Sequence, residues 1–245
     1  MGMSDITQFG NYLTFAGFQS NTYGVWISGE GTYDAPERDV EFISIPGLSG
    51  DLAIDNNRFN NITVTYPAFI SKRFDSRFDV FKAAMLSKRG YQVLTDTYHP
   101  DEYRLAVFTG PMEPETGPYN KAGSFDIEFN CKPQRYLFSG DVTQTFTAAS
   151  GTITNPTMYA SKPLIRVYGA GTVGVGSMSM TISSNPFSYI DIDSERQSCY
   201  NGASNAGQYV TLSGLSYPTL AAGNTGITKT SGITRVEITP RWWTV

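Results

Sequence analysis

Only one stretch of the chain carries apolar residues at helical spacing. Phe74, Phe78, Phe81, Met85 and Leu86 fall at i, i+4, i+7, i+11 and i+12, which is one face of an α-helix. Ser71 stands where a cap is needed, Lys88 and Arg89 suit the negative end of the dipole, and Gly90 suits a left-handed C′ position. A helix over about 71–89 is therefore expected. Elsewhere the apolar residues alternate or form short blocks, the pattern of strands. Composition agrees: 16% of residues are charged and 13% aromatic. An average globular chain carries ~25% charged residues. Exposed helix faces would need more Lys and Glu, and a disordered chain would be richer in charge and poorer in aromatics. The fold class is mainly β with a single helix.

The first part reads as strands at Tyr12–Phe15, Tyr23–Ile27, Val40–Ile45 and Asn61–Tyr66, the last with period 2. After the helix come Tyr91–Leu94, Tyr103–Phe108 and Gly123–Asn130. Pro111, Pro114 and Pro118 lie between the last two and cannot continue a ladder, so that segment is a loop. Charge is uneven, with 29 charged residues in 1–138 and 11 in 139–245. The second segment opens with the polar stretch Ser139–Thr157. At ~100–200 residues per domain, this break predicts domains at 1–138 and 139–245. The second contains short strands at Pro163–Tyr168, Ser177–Ile182, Tyr189–Ile192, Gln208–Leu212 and Ile233–Ile238, which predicts a β-sandwich or jelly roll.

A net charge of −4 and a pI near 5.0 exclude a generally basic nucleic-acid coat. Cys131 and Cys199 form no C-x-x-C pair and no disulfide framework. The first ten residues have no signal-peptide pattern, and no run of 18 apolar residues occurs, so the expectation is a soluble protein made in the cytoplasm. Gly169-Ala-Gly171-Thr-Val-Gly174 matches G-x-G-x-x-G, but period 2 from Val175 to Ile182 makes it a glycine-rich hairpin and not a dinucleotide site. Asp191, Asp193 and Glu195 could serve Ca²⁺ or glycoside hydrolysis by type. The EF-hand positions are not met, and a solvated strand end is expected. His99 is the sole histidine and reads as a turn residue. Gly47-Leu-Ser-Gly50 lacks nucleophile-elbow spacing, and no P-loop occurs. The Asn61-Ile-Thr63 sequon is moot without a secretion signal.

Lys72, Arg73, Arg77, Lys82, Lys88 and Arg89 give the helix region a basic outer side, which is a solvated face or an interface with an acidic neighbour. Trp242 and Trp243 are adjacent, so on a strand they point to opposite faces: one enters the core and the other covers a second surface or a partner. Tyr200 and Tyr209 are candidates for a carbohydrate-binding platform. No catalytic, cofactor-binding or metal-binding residue is assigned.

In order, these segments resemble the distal tail (Dit) proteins of long-tailed, non-contractile bacteriophages. Phe42–Leu52 followed by Asp55-Asn-Asn-Arg-Phe-Asn-Asn-Ile62 resembles that family's "PG-x-x-G-x-L … DN-x-R-[YF]-x-N" signature, and Phe74–Gly90 resembles its helix. Tyr217–Asn224 with Ile233–Trp243 resembles the family's "P-x-L-x-x-G-N … I-x-x-V-x-I-x-PRWW" ending. Leu48 stands where the family frequently carries Arg.

The resemblance implies a structural virion protein and no enzyme or cofactor. It implies a homohexameric ring at the tail tip, built by an N-terminal β-sandwich with one helix, and a projecting galectin-like C-terminal β-sandwich. The implied partners are further copies of the chain, the tail tube protein, the tip or fibre protein and receptor-binding proteins, with DNA passing through the lumen without specific binding. The first domain's strand edges and a long hairpin near Asp96–Tyr103 are expected to make the ring contacts. Lumen-facing Asp and Glu are expected to keep DNA from sticking. The alternative is a carbohydrate-binding module for host-surface adhesion.

Overall fold

The computed structural model describes residues 10–29, 33–117, 119 and 121–245. The first nine residues, up to Phe9, and Pro118 of the proline loop lie outside the described residues. The chain divides into two compact units: one reaches Arg135 and includes Val245, the other is Tyr136–Thr244. No helix among the described residues is long and apolar enough to cross a membrane.

The first unit is a sheet with one helix on one face. Its strands run in the order Phe18–Gln19, Leu13–Phe15, Gln92–Asp96, Glu102–Val107, Gly123–Leu137, Ile62–Ile70 and Trp26–Ile27. The register Phe125↔Ala68, Ile127↔Tyr66 and Phe129↔Val64 puts these six side chains on one face, and all are buried. The helix, Phe74–Leu86, presses Phe74, Phe78, Phe81 and Met85 onto that face. Phe78 meets Phe125 edge-on at 4.9 Å between ring centroids and stacks on Phe74 at 5.1 Å.

The helix is shorter at both ends than its periodicity suggests. Arg73, not Ser71, is the N-cap residue, in the left-handed region at φ 54° with no side-chain cap. The Phe74 N–H donates to the Lys121 carbonyl at 3.3 Å. Tertiary structure therefore supplies part of what a Ser cap would supply. The last turn closes at Leu86, leaving Lys88 and Arg89 beyond it; the Ser87 hydroxyl donates to the Ala84 carbonyl at 2.7 Å. Gly90 has φ +66° in the following turn.

The second unit is a β-sandwich. A six-stranded sheet runs Gln144–Phe146, Ile233–Thr239, Leu164–Gly169, Ile190–Asp193, Ser198–Asn201, Ser204–Asn205. A five-stranded sheet runs Ser150–Asn155, Gly223–Lys229, Gly171–Val175, Met178–Ile182, Val210–Leu212. One core lies between them, with Ile165, Val167, Ile192 and Val236 from the first sheet and Val173, Met180, Ile182 and Ile227 from the second. This architecture corrects the reading of Gly169–Gly174. Leu164–Gly169 and Gly171–Val175 belong to different sheets, so Gly169-Ala170-Gly171 is the corner between layers and not a hairpin turn. A Cβ on Gly169 would lie 2.3 Å from the Gly232 carbonyl oxygen, and Gly171 has φ +141°. Close backbone approach explains the glycines, and a strand follows them in place of a nucleotide-binding helix.

Candidate assembly surfaces

The segment carrying the first family-like signature forms an isolated two-stranded ribbon. Arg38–Ser44 and Asp51–Phe59 pair only with each other. Gly47 and Gly50, at φ +85° and +91°, reverse the chain at its tip, and the Leu48 N–H donates to the Ile45 carbonyl at 3.1 Å. Opposed residues of an antiparallel pair share a face. Ile43 lies opposite Leu52 and Glu41 opposite Ile54, which puts three aliphatic side chains on one face. Phe42, opposite Ala53, occupies the other. All of them are exposed; Phe42 keeps 68% of its surface and Leu48 at the tip 64%.

Charged and polar residues hold the root of this arm. Arg38 donates to Asp55 at 3.0 Å and lies over the Phe59 ring at 4.9 Å. Arg58 pairs with Asp39; with Asn56 it holds that carboxyl below the usual range. Asn57, at φ +55°, donates its N–H to Asp55 at 2.7 Å beside a register shift between Arg38 and Val40. The Asn61 amide then donates to Tyr91 Oη at 2.7 Å and Asn130 Oδ1 at 2.6 Å, fixing the arm's exit to the sheet. The Asp-Asn-x-Arg-Phe-x-Asn run is thus the root of an arm, and Pro46-Gly47-Leu-Ser-Gly50 is its tip.

The long hairpin expected near Asp96–Tyr103 is instead a compact turn, and the long hairpin lies at 38–59. Asp96 closes that turn: its Oδ1 accepts from the Tyr98 and His99 N–H groups, each at 2.9 Å, and its Oδ2 accepts from Tyr66 Oη at 2.7 Å. On the sheet face away from the helix, the strand Gly123–Leu137 presents Ser124, Asp126, Glu128 and Asn130 to solvent. Asp126 and Glu128 have no ion pair among the described residues. The helix surface is basic as expected; Lys82 pairs with Asp79 at 2.9 Å, and Lys72, Arg73, Arg77, Lys88 and Arg89 are solvated.

In the second unit, two of the acidic triplet are not solvated, while Glu195 is exposed. Asp191 and Asp193 are buried to within 3% and 1% of full burial. Arg166 grips both oxygens of Asp191 at 2.7 and 3.0 Å, and Arg241 grips both oxygens of Asp193 at 2.8 and 3.1 Å. Glu195 lies 3.5 Å from Arg241. Burial pushes the Asp193 carboxyl up, but the Arg241 bonds and the Arg196 and Glu195 N–H groups pull it further down, to a net depressed value. Both carboxylates are buried and held in guanidinium forks, an arrangement that serves the fold of this unit. No cluster of three His, Cys, Asp or Glu side chains suited to a metal ion occurs among the described residues.

The same network explains the Pro240-Arg-Trp-Trp run. Arg241 sits at φ +59°, with its N–H donating to the Gly140 carbonyl at 2.7 Å. Trp242 enters the core, while Trp243 stacks on Tyr159 at 4.6 Å and donates its indole N–H to the Ala160 carbonyl at 3.1 Å. Gly140 admits the strap, because a Cβ there would come within 2.2 Å of the Trp242 nitrogen. The two tyrosines considered as a sugar platform are separately engaged: Tyr200 bonds Asp193 at 3.4 Å, and Tyr209 packs edge-on to Phe187 at 6.0 Å.

No family model and no curated protein matches the sequence. Among solved structures, the chain is similar to the Dit protein of phage SPP1, described as a paradigm of the hub adsorption apparatus in phages infecting Gram-positive bacteria. The TM-score is 0.69 at 13% identity, over 96% of this chain and 99% of that one. The fold is that of a Dit protein. A chain of the phage p2 baseplate, in its activated conformation with Sr, aligns at TM-score 0.48 and 10% identity, covering 93% of this chain and 97% of that one. Core positions can change wholesale while volume and pattern are kept, which is how the fold shared with the SPP1 protein survives at 13% identity.

Proposed function

We propose that the chain is a structural hub protein of a long, non-contractile phage tail, forming a homohexameric ring at its distal end. In this reading, residues 1–138 build the ring and residues 139–245 form an outward-projecting sandwich of galectin-like type. The ring joins the tail tube to the tip or fibre protein, carries receptor-binding proteins, and assembles in the host cytoplasm. The arm is the observation that carries the reading: a ribbon with exposed apolar side chains on both faces needs a cover, and no other segment among the described residues supplies one. A closed ring makes heterologous contacts, in which one subunit's arm meets a different surface on the next. Asp126 and Glu128 then line the lumen and repel passing DNA.

Light scattering with negative-stain images of the full-length protein tests this. Six-fold rings with an open centre are expected. A monodisperse monomer at all concentrations, with no rings in the images, overturns the reading.

A further inference from the structure

The helix of the first unit has an outer face that its own chain leaves uncovered. Phe74, Phe78, Phe81 and Met85 are buried, while Val80 and Leu86 stay 58% and 54% exposed, with Ala83 exposed between them. The outer face of a helix packed on one side is ordinarily polar and charged, so this is an apolar surface in the wrong solvent. Cations flank it. Lys72, Arg73 and Arg77 stand at the helix start and Lys88 and Arg89 just past its end, all exposed and none in an ion pair among the described residues. Lys82 and Asp79 neutralise each other at 2.9 Å, which leaves Asp75 as the remaining carboxylate on the helix.

The arm is the complement of that face in polarity, charge and length. Arg38 and Arg58 are paired with Asp55 and Asp39 at its root. Farther out, Glu41 and Asp51 are in no ion pair among the described residues, and the sequence between Arg38 and Arg58 contains no Lys, Arg or His. Ile43, Leu52 and Ile54 share one face of the ribbon with Glu41. A helix of 13 residues is about 20 Å long, and a strand of 7 residues about 23 Å. We propose, on the reading that the chain forms a ring, that the outer face of the helix is the acceptor surface for the arm of the next copy. Ile43, Leu52 and Ile54 cover Val80 and Leu86, while Glu41 and Asp51 lie in the positive field of the flanking cations.

Arm and helix face are different surfaces of one subunit, as a heterologous contact requires. Each subunit gives its arm to one neighbour and its helix to the other. Opposite charge then selects the partner surface, and aliphatic burial holds it.

Charge reversal in the full-length protein tests the pairing. Glu41→Lys with Asp51→Lys makes the arm basic, and Arg77→Glu with Lys88→Glu and Arg89→Glu makes the helix face acidic. Each variant alone sets like charges together and should raise the concentration for half-assembly at least roughly tenfold, read by sedimentation velocity. An equimolar mixture should assemble close to the wild-type concentration, because rings that alternate the two variants set every arm against a helix of opposite sign. Denaturant unfolding of each variant should stay near wild type. Val80→Ser with Leu86→Ser, which changes no charge, should weaken assembly as well. Wild-type assembly by the helix variants beside a defective arm variant overturns the proposal: the arm then docks elsewhere on the ring, and the helix face is left to another protein. A mixture that assembles no better than its components overturns it too. If the wild-type protein forms no ring, the ring reading fails and this pairing with it.

Discussion

The arm can be separated from the folded unit that bears it by a substitution that weakens assembly and spares stability. Phe42 keeps 68% of its surface exposed in the single chain. Full burial of a Phe side chain stabilises by about 1.5–3 kcal/mol, so covering that remaining surface on a neighbour contributes about 1–2 kcal/mol per contact. At about 1.4 kcal/mol per tenfold, Phe42→Ser should weaken each pairwise contact roughly 5–30-fold, and a closed ring repeats the loss at every contact. The folded monomer loses little, since substitutions away from buried features stay within about 0.5 kcal/mol. Adding Leu52→Ser and Ile54→Ser should deepen the assembly defect from the opposite face. Sedimentation velocity over a concentration series reads the assembled fraction, and denaturant unfolding reads stability. If the triple variant assembles at wild-type concentrations, the arm is not an assembly surface. If its stability falls as far as its assembly, the side chains belong to the fold.

Other outcomes follow from the buried groups. Asp193 has a depressed carboxyl, so its contribution is fully present above the unfolded value near 3.8 and is lost as pH falls through the folded one. Asp193→Asn should therefore be less stable than wild type at neutral pH, with the difference beginning to shrink only as pH falls below 3.8 and vanishing below the folded value, read by urea unfolding across pH. Arg241→Met should cost about 3–5 kcal/mol at neutral pH, because it strips the guanidinium fork from the buried Asp193 carboxylate. Gly140→Ala drives a Cβ into the Trp242 backbone and should cost about 1–3 kcal/mol by thermal unfolding, with intrinsic Trp emission shifted to the red. Burial pushes the Cys131 thiol up to about 12 and raises that of Cys199 as well. A thiol reagent at mild alkaline pH should thus find no fast-reacting cysteine until denaturant is added.

The helix was legible because its aromatic residues keep period 3.6 over three turns, and the second unit because its strands alternate. The buried carboxylates were not legible. Asp191 and Asp193 alternate with Ile190 and Ile192, which reads as a solvated outer face, and their guanidinium partners come from positions 25 and 48 residues away. Alternation reports which residues share a face; it carries no information about what covers that face. The arm shows the same rule from the other side. Val40, Phe42, Ile43 and Ile45 put apolar side chains on both faces of one strand, a pattern that ordinarily marks a strand buried on both sides. In the single chain both faces are exposed. A sequence written for two-sided burial that finds none among the described residues of its own chain is written for burial by another, and the two-sided pattern at 40–45 is the sequence signal from which the arm could have been found.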